Sequence, residues 1–244
     1  MNRARSSLGW GILAGVSVGL VALFGLIFIG AATGGGDGGG LGERIGIVEL
    51  SGPITDEGAS GFLGGEASGA RQFIQELEKA RKDESVKAIV IRVNSPGGSA
   101  AASQEMFDAV RRVRDVKPVV CSMGDVAASG GYFVAAACDK IYANGSTLTG
   151  SIGVISQFLN YGQLFRKLGL DEATIKSGRF KDAGNPSRPL TPAERQLFQQ
   201  MIMDVYNQFV DAVAAGRKGK LTRAQVVKLA DGRVYTGRQA KNNK

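Results

Sequence analysis

From residue 44 onward the apolar positions follow two alternating rhythms. Short β-rich runs at Ile45–Leu50, Ala88–Val93 and Pro118–Met123 are separated by stretches of helical periodicity around Arg71–Arg81 and Gln104–Val113. Strands separated by helices of that length predict right-handed β-α-β units and a largely parallel sheet, an α/β fold. The mostly apolar runs Ile89-Val90-Ile91 and Val119-Val120-Cys121 suit central strands covered on both faces. Farther along, Tyr132–Ala137 reads as a buried helix, Ile141–Ala143 as a short strand and Tyr161–Leu168 as an amphipathic helix. At Thr191-Pro192-Ala193-Glu194 a capping threonine, a proline at the first helical position and an acid three residues after the cap agree. They predict a longer helix running to about Ala215.

The amino-terminal pattern is different. Leu8 to Ala32 carries no charged residue, enough to span a bilayer as a helix of ~20 residues and longer than the ~7–15 apolar residues of a signal-peptide core. Arg3 and Arg5 precede it, and the stretch after it is nearly uncharged, which places the N-terminus in the cytoplasm by the positive-inside rule. Removal of the segment after Ala31-Ala32 is the alternative. Gly11, Gly15 and Gly19 recur every fourth residue, either as a helix-packing groove or as ordinary membrane-helix glycines. Gly34–Gly40 has almost no side chains with which to pack and reads as a flexible tether. The predicted organisation is therefore residues 1–33 as cytoplasmic N-terminus and transmembrane helix, 34–43 as glycine-rich linker, and 44–244 as an extracytoplasmic domain.

Composition narrows the function classes. Thirty basic against 22 acidic residues give a net charge of +8, but the basic residues are spread along the chain without an aromatic-interleaved stripe, which argues against nucleic acid. Cys121 and Cys138 fall in an apolar strand and an apolar helix and read as small buried hydrophobes rather than a disulfide. The chain has no histidine. That excludes a Ser-His-Asp triad, leaves neither cysteine an imidazole partner, and makes lysine the leading base for any serine nucleophile.

Such a serine stands in Gly124-Asp125-Val126-Ala127-Ala128-Ser129-Gly130-Gly131-Tyr132, directly after an apolar run. Flanking glycines permit a sharp strand-to-helix bend, and the helix after Gly130 turns its partial positive end toward the serine, with the Gly130 N–H as an oxyanion donor. Ser95-Pro96-Gly97-Gly98-Ser99 holds the equivalent place one strand earlier, so a second donor from Gly98 converges with Gly130 at the carboxyl edge of the sheet.

Five ordered stretches, Asn94–Gly98, Ser122–Tyr132, Leu148–Val154, Ile175–Asp182 and Ala230–Tyr235, resemble the signal peptide peptidase A family of membrane-bound serine proteases, relatives of the Clp protease and crotonase folds. The resemblance implies a Clp protease/crotonase-like β-α-β superhelical fold preceded by one transmembrane helix. It implies Ser129 as nucleophile, Lys181 as general base and Ser151 as the residue that orients the lysine. A free lysine has a pKa of ~10.4, so such a base works only when desolvated or set beside another cation. Asp125 and Asp182 adjoin the pair and read as structural or capping residues, Lys176 as a solvent-facing neighbour, and Arg188 as loop architecture. No metal or nucleotide cofactor is implied. Expected partners are peptide substrates (remnant signal peptides or membrane protein fragments), the lipid bilayer of the bacterial inner membrane, and further copies in a homo-oligomer with sites facing a cavity. Relatives continue past the equivalent of Lys244, so one reading is a C-terminally truncated member. A non-catalytic membrane scaffold of the same fold, a crotonase-type acyl-thioester enzyme and a related protease acting on stomatin-like partners stay open.

Overall fold

The computed structural model describes residues 42–57, 59–60, 66–67 and 69–243. The apolar run Leu8–Ala32 and the glycine tether lie outside them, and no helix among the described residues is long and apolar enough to cross a membrane.

The strands and helices alternate as the sequence pattern predicts. β1 (Arg44–Ser51) leads by way of the short antiparallel pair β2 (Ala59–Ser60) and β3 (Glu66–Ala67) to α1 (Ala70–Lys82). Then come β4 (Val86–Ser95), α2 (Ala100–Arg114), β5 (Val119–Ala128) and α3 (Gly130–Ala136). β6 (Lys140–Tyr142), β7 (Leu148–Gly150), α4 (Gly162–Lys167) and α5 (Pro192–Gly216) follow. The described chain ends with α6 (Arg223–Leu229), β8 (Val234–Thr236) and α7 (Gly237–Asn242). The sheet order is β1-β4-β5-β7-β8, with β6 also pairing β5. Every pairing in this sheet is parallel except β7 with β8.

Period-2 burial fixes which face of the sheet carries the core. Ile89, Ile91 and Val93 of β4 and Val119, Cys121 and Met123 of β5 are buried, with Phe73 and Leu77 of α1, Met106 and Val110 of α2 and Phe133 and Val134 of α3 packed in the same cluster. Residues of one parity share one face, so these three helices cover one side of the sheet. The other side is not closed: Val90 and Val120 are half-buried, and Ile45 and Ile47 on the edge strand β1 are 66% and 69% exposed. The expectation of central strands covered on both faces is corrected to that extent. An unbroken apolar run signals burial but does not say how many layers supply it.

α5 forms as its start signal predicts. The Thr191 side chain accepts from the Glu194 N–H, the Glu194 carboxylate accepts from the Thr191 N–H at 2.9 Å, and Pro192 stands at the first turn. The segments 153–160 and 170–176 between the sheet and this helix have neither helix nor strand. Cys121 and Cys138 are free and buried, as small hydrophobes.

Candidate active site

β5 runs to Ala128, so Ser129 is the first residue beyond the strand and the N-cap of α3. Its backbone is at φ 51°, ψ −122°. Among the described non-glycine residues only Ser129 and Ser151 have positive φ, both at 51°. Such geometry costs about 1–3 kcal/mol per residue and persists only where neighbouring structure over-determines it. Here the Ser129 N–H donates to the Gly150 carbonyl at 2.9 Å, the Ser129 carbonyl accepts from Phe133 N–H at 2.9 Å, and the Ser151 N–H donates to the Arg233 carbonyl at 2.8 Å. The two strained serines are thus tied to neighbouring strands of one sheet.

The Gly97-Gly98 turn closes against them. Gly97 has φ +94°, and a Cβ there would lie 2.6 Å from the Gly130 nitrogen and 2.8 Å from the Ser129 Cβ. The backbone of Ile54 bridges the turn, its N–H donating to the Gly97 carbonyl and its carbonyl accepting from Ser99 N–H, each at 2.9 Å. This bridge leaves the Gly98 N–H unused. Gly130, as the first residue of α3, has no acceptor within its own helix. Gly97→Ala is expected to destabilise the fold by about 1–3 kcal/mol from backbone strain alone, read from the urea midpoint. It should also slow any acylation of Ser129, because the added methyl pushes on the Gly130 amide.

Ser129, Ser151, Gly98 and Gly130 line one cavity of about 790 Å³. Phe133, Val154 and Ile155 make part of its wall, and Ile202, Met203, Tyr206 and Phe209 of α5 make the facing part. An apolar trough beside a half-buried hydroxyl and two backbone amides suits a peptide with apolar side chains. The α5 wall escaped sequence reasoning, because helical periodicity shows that a face is apolar without showing what it covers.

Lys181 is not among the residues lining that cavity. It is exposed on the turn at 177–184, its N–H donates to the Gly178 carbonyl at 3.1 Å, and its amine has no hydrogen bond among the described residues. Within one chain, then, the structure brings together Ser129, Ser151, Gly98 and Gly130 and leaves Lys181 outside. Lys176 is engaged elsewhere, 2.5 Å from Asp182.

Asp182 also meets Arg188 at 3.0 Å, and Arg188 reaches the buried Glu194 at 2.6 Å. Arg188 is therefore the link between two carboxylates rather than simple loop architecture, a role hidden in sequence because its partners are only brought together by folding. Hydrogen bonds from Lys176 and Arg188 hold Asp182 down at about 2, and the Arg188 hydrogen bonds with the Thr191 N–H hold Glu194 at about 2. Both carboxyls are lower in the folded chain than the usual 3.8 and 4.5. Their stabilisation is thus complete above about pH 4.5 and is lost as pH falls toward 2. Thermal melts should show this decline, and Arg188→Ala should melt lower at pH 7 with a flatter acid limb.

A largely parallel α/β sheet with a strained serine at a strand-to-helix turn and paired backbone amides beside it defines a hydrolase-like architecture, and the Clp protease family model matches residues 62–147. The Peptidase family S49 model matches residues 111–244, and the chain belongs to that family. A signal peptide peptidase SppA of Enterococcus faecium, provisionally so named, is 38% identical over 202 residues, covering 82% of this chain and 58% of that protein. The chloroplastic serine protease SPPA of Arabidopsis thaliana is 37% identical over 199 residues, 81% of this chain and 29% of that one. Protease 4 of Haemophilus influenzae is 36% identical over 202 residues, 82% of this chain and 32% of its own length. The chain therefore spans between 29% and 58% of the length of these relatives.

Proposed function

We propose that the chain is a membrane-anchored serine endopeptidase in which Ser129 attacks the peptide carbonyl, Lys181 is the general base and Ser151 orients the lysine. The observation that carries this reading is the strained Ser129 opening on an apolar trough beside Gly98, Gly130 and Ser151. Catalysis would proceed by transfer of the Ser129 hydroxyl proton to a neutral Lys181 amine as Oγ bonds to the carbonyl carbon. The oxyanion would accept from the Gly98 and Gly130 N–H groups, and the C–N bond would then break as the lysine returns its proton to the leaving amine. Water, deprotonated by the same amine, would hydrolyse the ester.

The exposed position of Lys181 shapes this proposal. The base must both reach Ser129 and lose its hydration, and a homo-oligomer meets both needs when the 177–184 turn of one copy covers the chamber of the next. Burial on assembly then lowers the lysine pKa at the moment it becomes useful. Exposed apolar residues on the segment that precedes this turn, Ile155, Leu159, Leu164 and Leu168, favour such a contact. The uncharged run Leu8–Ala32 supports anchoring in the inner membrane with the domain outside the cytoplasm. Remnant signal peptides and other membrane-associated peptides fit the apolar trough.

The test is fluorophosphonate labelling of the detergent-purified protein across pH, beside hydrolysis of a signal-peptide substrate. Labelling that rises with pH and is absent in both Ser129→Ala and Lys181→Ala supports the dyad. Labelling that survives Lys181→Ala identifies another base, and a folded wild type that does not label is a non-catalytic scaffold.

A further inference from the structure

Lys181 stands on a turn whose backbone hydrogen bonds are local. The N–H groups of Lys181, Ala183 and Asn185 donate to the carbonyls of Gly178, Phe180 and Asp182, and the Lys176 amine donates to the Arg179 carbonyl. Such bonds shape the turn without fixing where it stands on the molecule. The tie to α5 runs through the next residue. The Arg188 guanidinium donates to the Asp182 backbone carbonyl at 3.2 Å and to the Asp182 carboxylate at 3.0 Å. The same guanidinium donates to both oxygens of the buried Glu194, at 2.6 and 2.9 Å. Glu194 is held in turn by the Thr191 N–H at the start of α5, the helix that walls the trough with Ile202, Met203, Tyr206 and Phe209.

One planar fork therefore joins the backbone beside Lys181 to the helix that walls the chamber. Lys176 also pairs with Asp182, at 2.5 Å, but it belongs to the same loop and anchors nothing outside it. The far end of the turn rests on rings, with Gly184 close against Phe158 and near Phe198 of α5. An apolar contact of that kind tolerates sliding, whereas a fork on two carboxylates sets both distance and angle. Resting on the Ser129–Lys181 reading, we propose that Arg188 is the positioning residue of the general base, fixing the Lys181 turn on the start of α5 so that the amine is presented in one place to the chamber it serves. Arg188 does not line the chamber, so it acts through Lys181 and not on substrate. A catalytic group misplaced by about 1 Å loses up to ~10²-fold in rate. Lysine in place of Arg188 keeps the charge beside Glu194 and loses the fork.

The experiment measures the rate constant and the final stoichiometry of fluorophosphonate labelling on the full chain in detergent, with kcat and KM for a quenched apolar peptide. Arg188→Lys, Asp182→Ala, Lys181→Ala and the double variant Arg188→Lys/Lys181→Ala are set beside wild type. Asp182→Ala cuts the tie to the turn while leaving the Arg188–Glu194 pair in place, so it spares the buried end of the network. The expected result is labelling of Arg188→Lys and Asp182→Ala to wild-type stoichiometry with a rate constant lower by about tenfold or more. Their kcat should fall in step with KM within about twofold, and Arg188→Lys should add nothing to the residual rate of Lys181→Ala. A merely structural role gives the opposite split, fewer labelled chains at an unchanged rate constant for each. That split overturns the proposal, as does a rate at or above wild type in both single variants, or a further loss on the Lys181→Ala background. A wild type that does not label, or Lys181→Ala labelling at the wild-type rate, instead refutes the assignment of the base and takes the proposal with it.

Discussion

Ser129→Ala is expected to lower peptide hydrolysis by about 10⁴-fold or more, because removing a nucleophile costs that much or more in serine hydrolases. The comparison is fair because the substitution is structurally mild. Ser129 is half-buried and its side chain makes no helix-capping hydrogen bond, so the melting temperature should shift little and can move either way. Alanine must still adopt φ 51° there, a strain serine shares. Stopped-flow or steady-state assays with an intramolecularly quenched apolar peptide would measure the rate. Retention of more than a few per cent of wild-type turnover would show that the strained serine is not the nucleophile, whatever its geometry suggests.

Mixing two inactive variants is the second large effect. Ser129→Ala lacks the nucleophile and Lys181→Ala lacks the base, and each alone should be silent. If the base reaches the chamber from a neighbouring copy, co-assembly at equal amounts should restore about a quarter of wild-type activity. In a head-to-tail ring that is the fraction of contacts at which an intact serine meets an intact lysine. Lys181 is exposed and lies outside the lining of the chamber in its own chain, so a neighbouring copy can supply it. The proteins must be mixed under conditions that allow exchange of subunits, with the oligomeric state followed by light scattering. If co-assembled variants recover nothing, the lysine must fold into its own chain's chamber by movement of the 177–184 turn.

Elements whose signals are local are legible in the sequence, and those made by distant pairing are not. β1, β4, β5, α1 and α2 were legible because each follows from local periodicity, and α5 because its capping residues are adjacent in sequence. The Ser129 turn was legible for a similar reason: glycines beside a serine after an apolar run describe a sharp bend within a few residues. β7 and β8 were not foreseen as strands, since each has only three residues and exists through pairing with a distant partner. Arg188 joins Asp182 to Glu194 only once the loop has turned back on the start of α5.

Sequence alone determined the alternation of strands and helices, the absence of an imidazole base and the serine turn, because all three depend on residue types or on neighbours within one turn. Tertiary structure decided the rest. It brought Ser151 and Gly98 to Ser129 through the order of the strands, walled the trough with α5, left Lys181 in solvent, and joined Arg188 to both Asp182 and Glu194. Those juxtapositions come from chain closure over tens of residues, and local propensity carries no record of which distant side chains will meet.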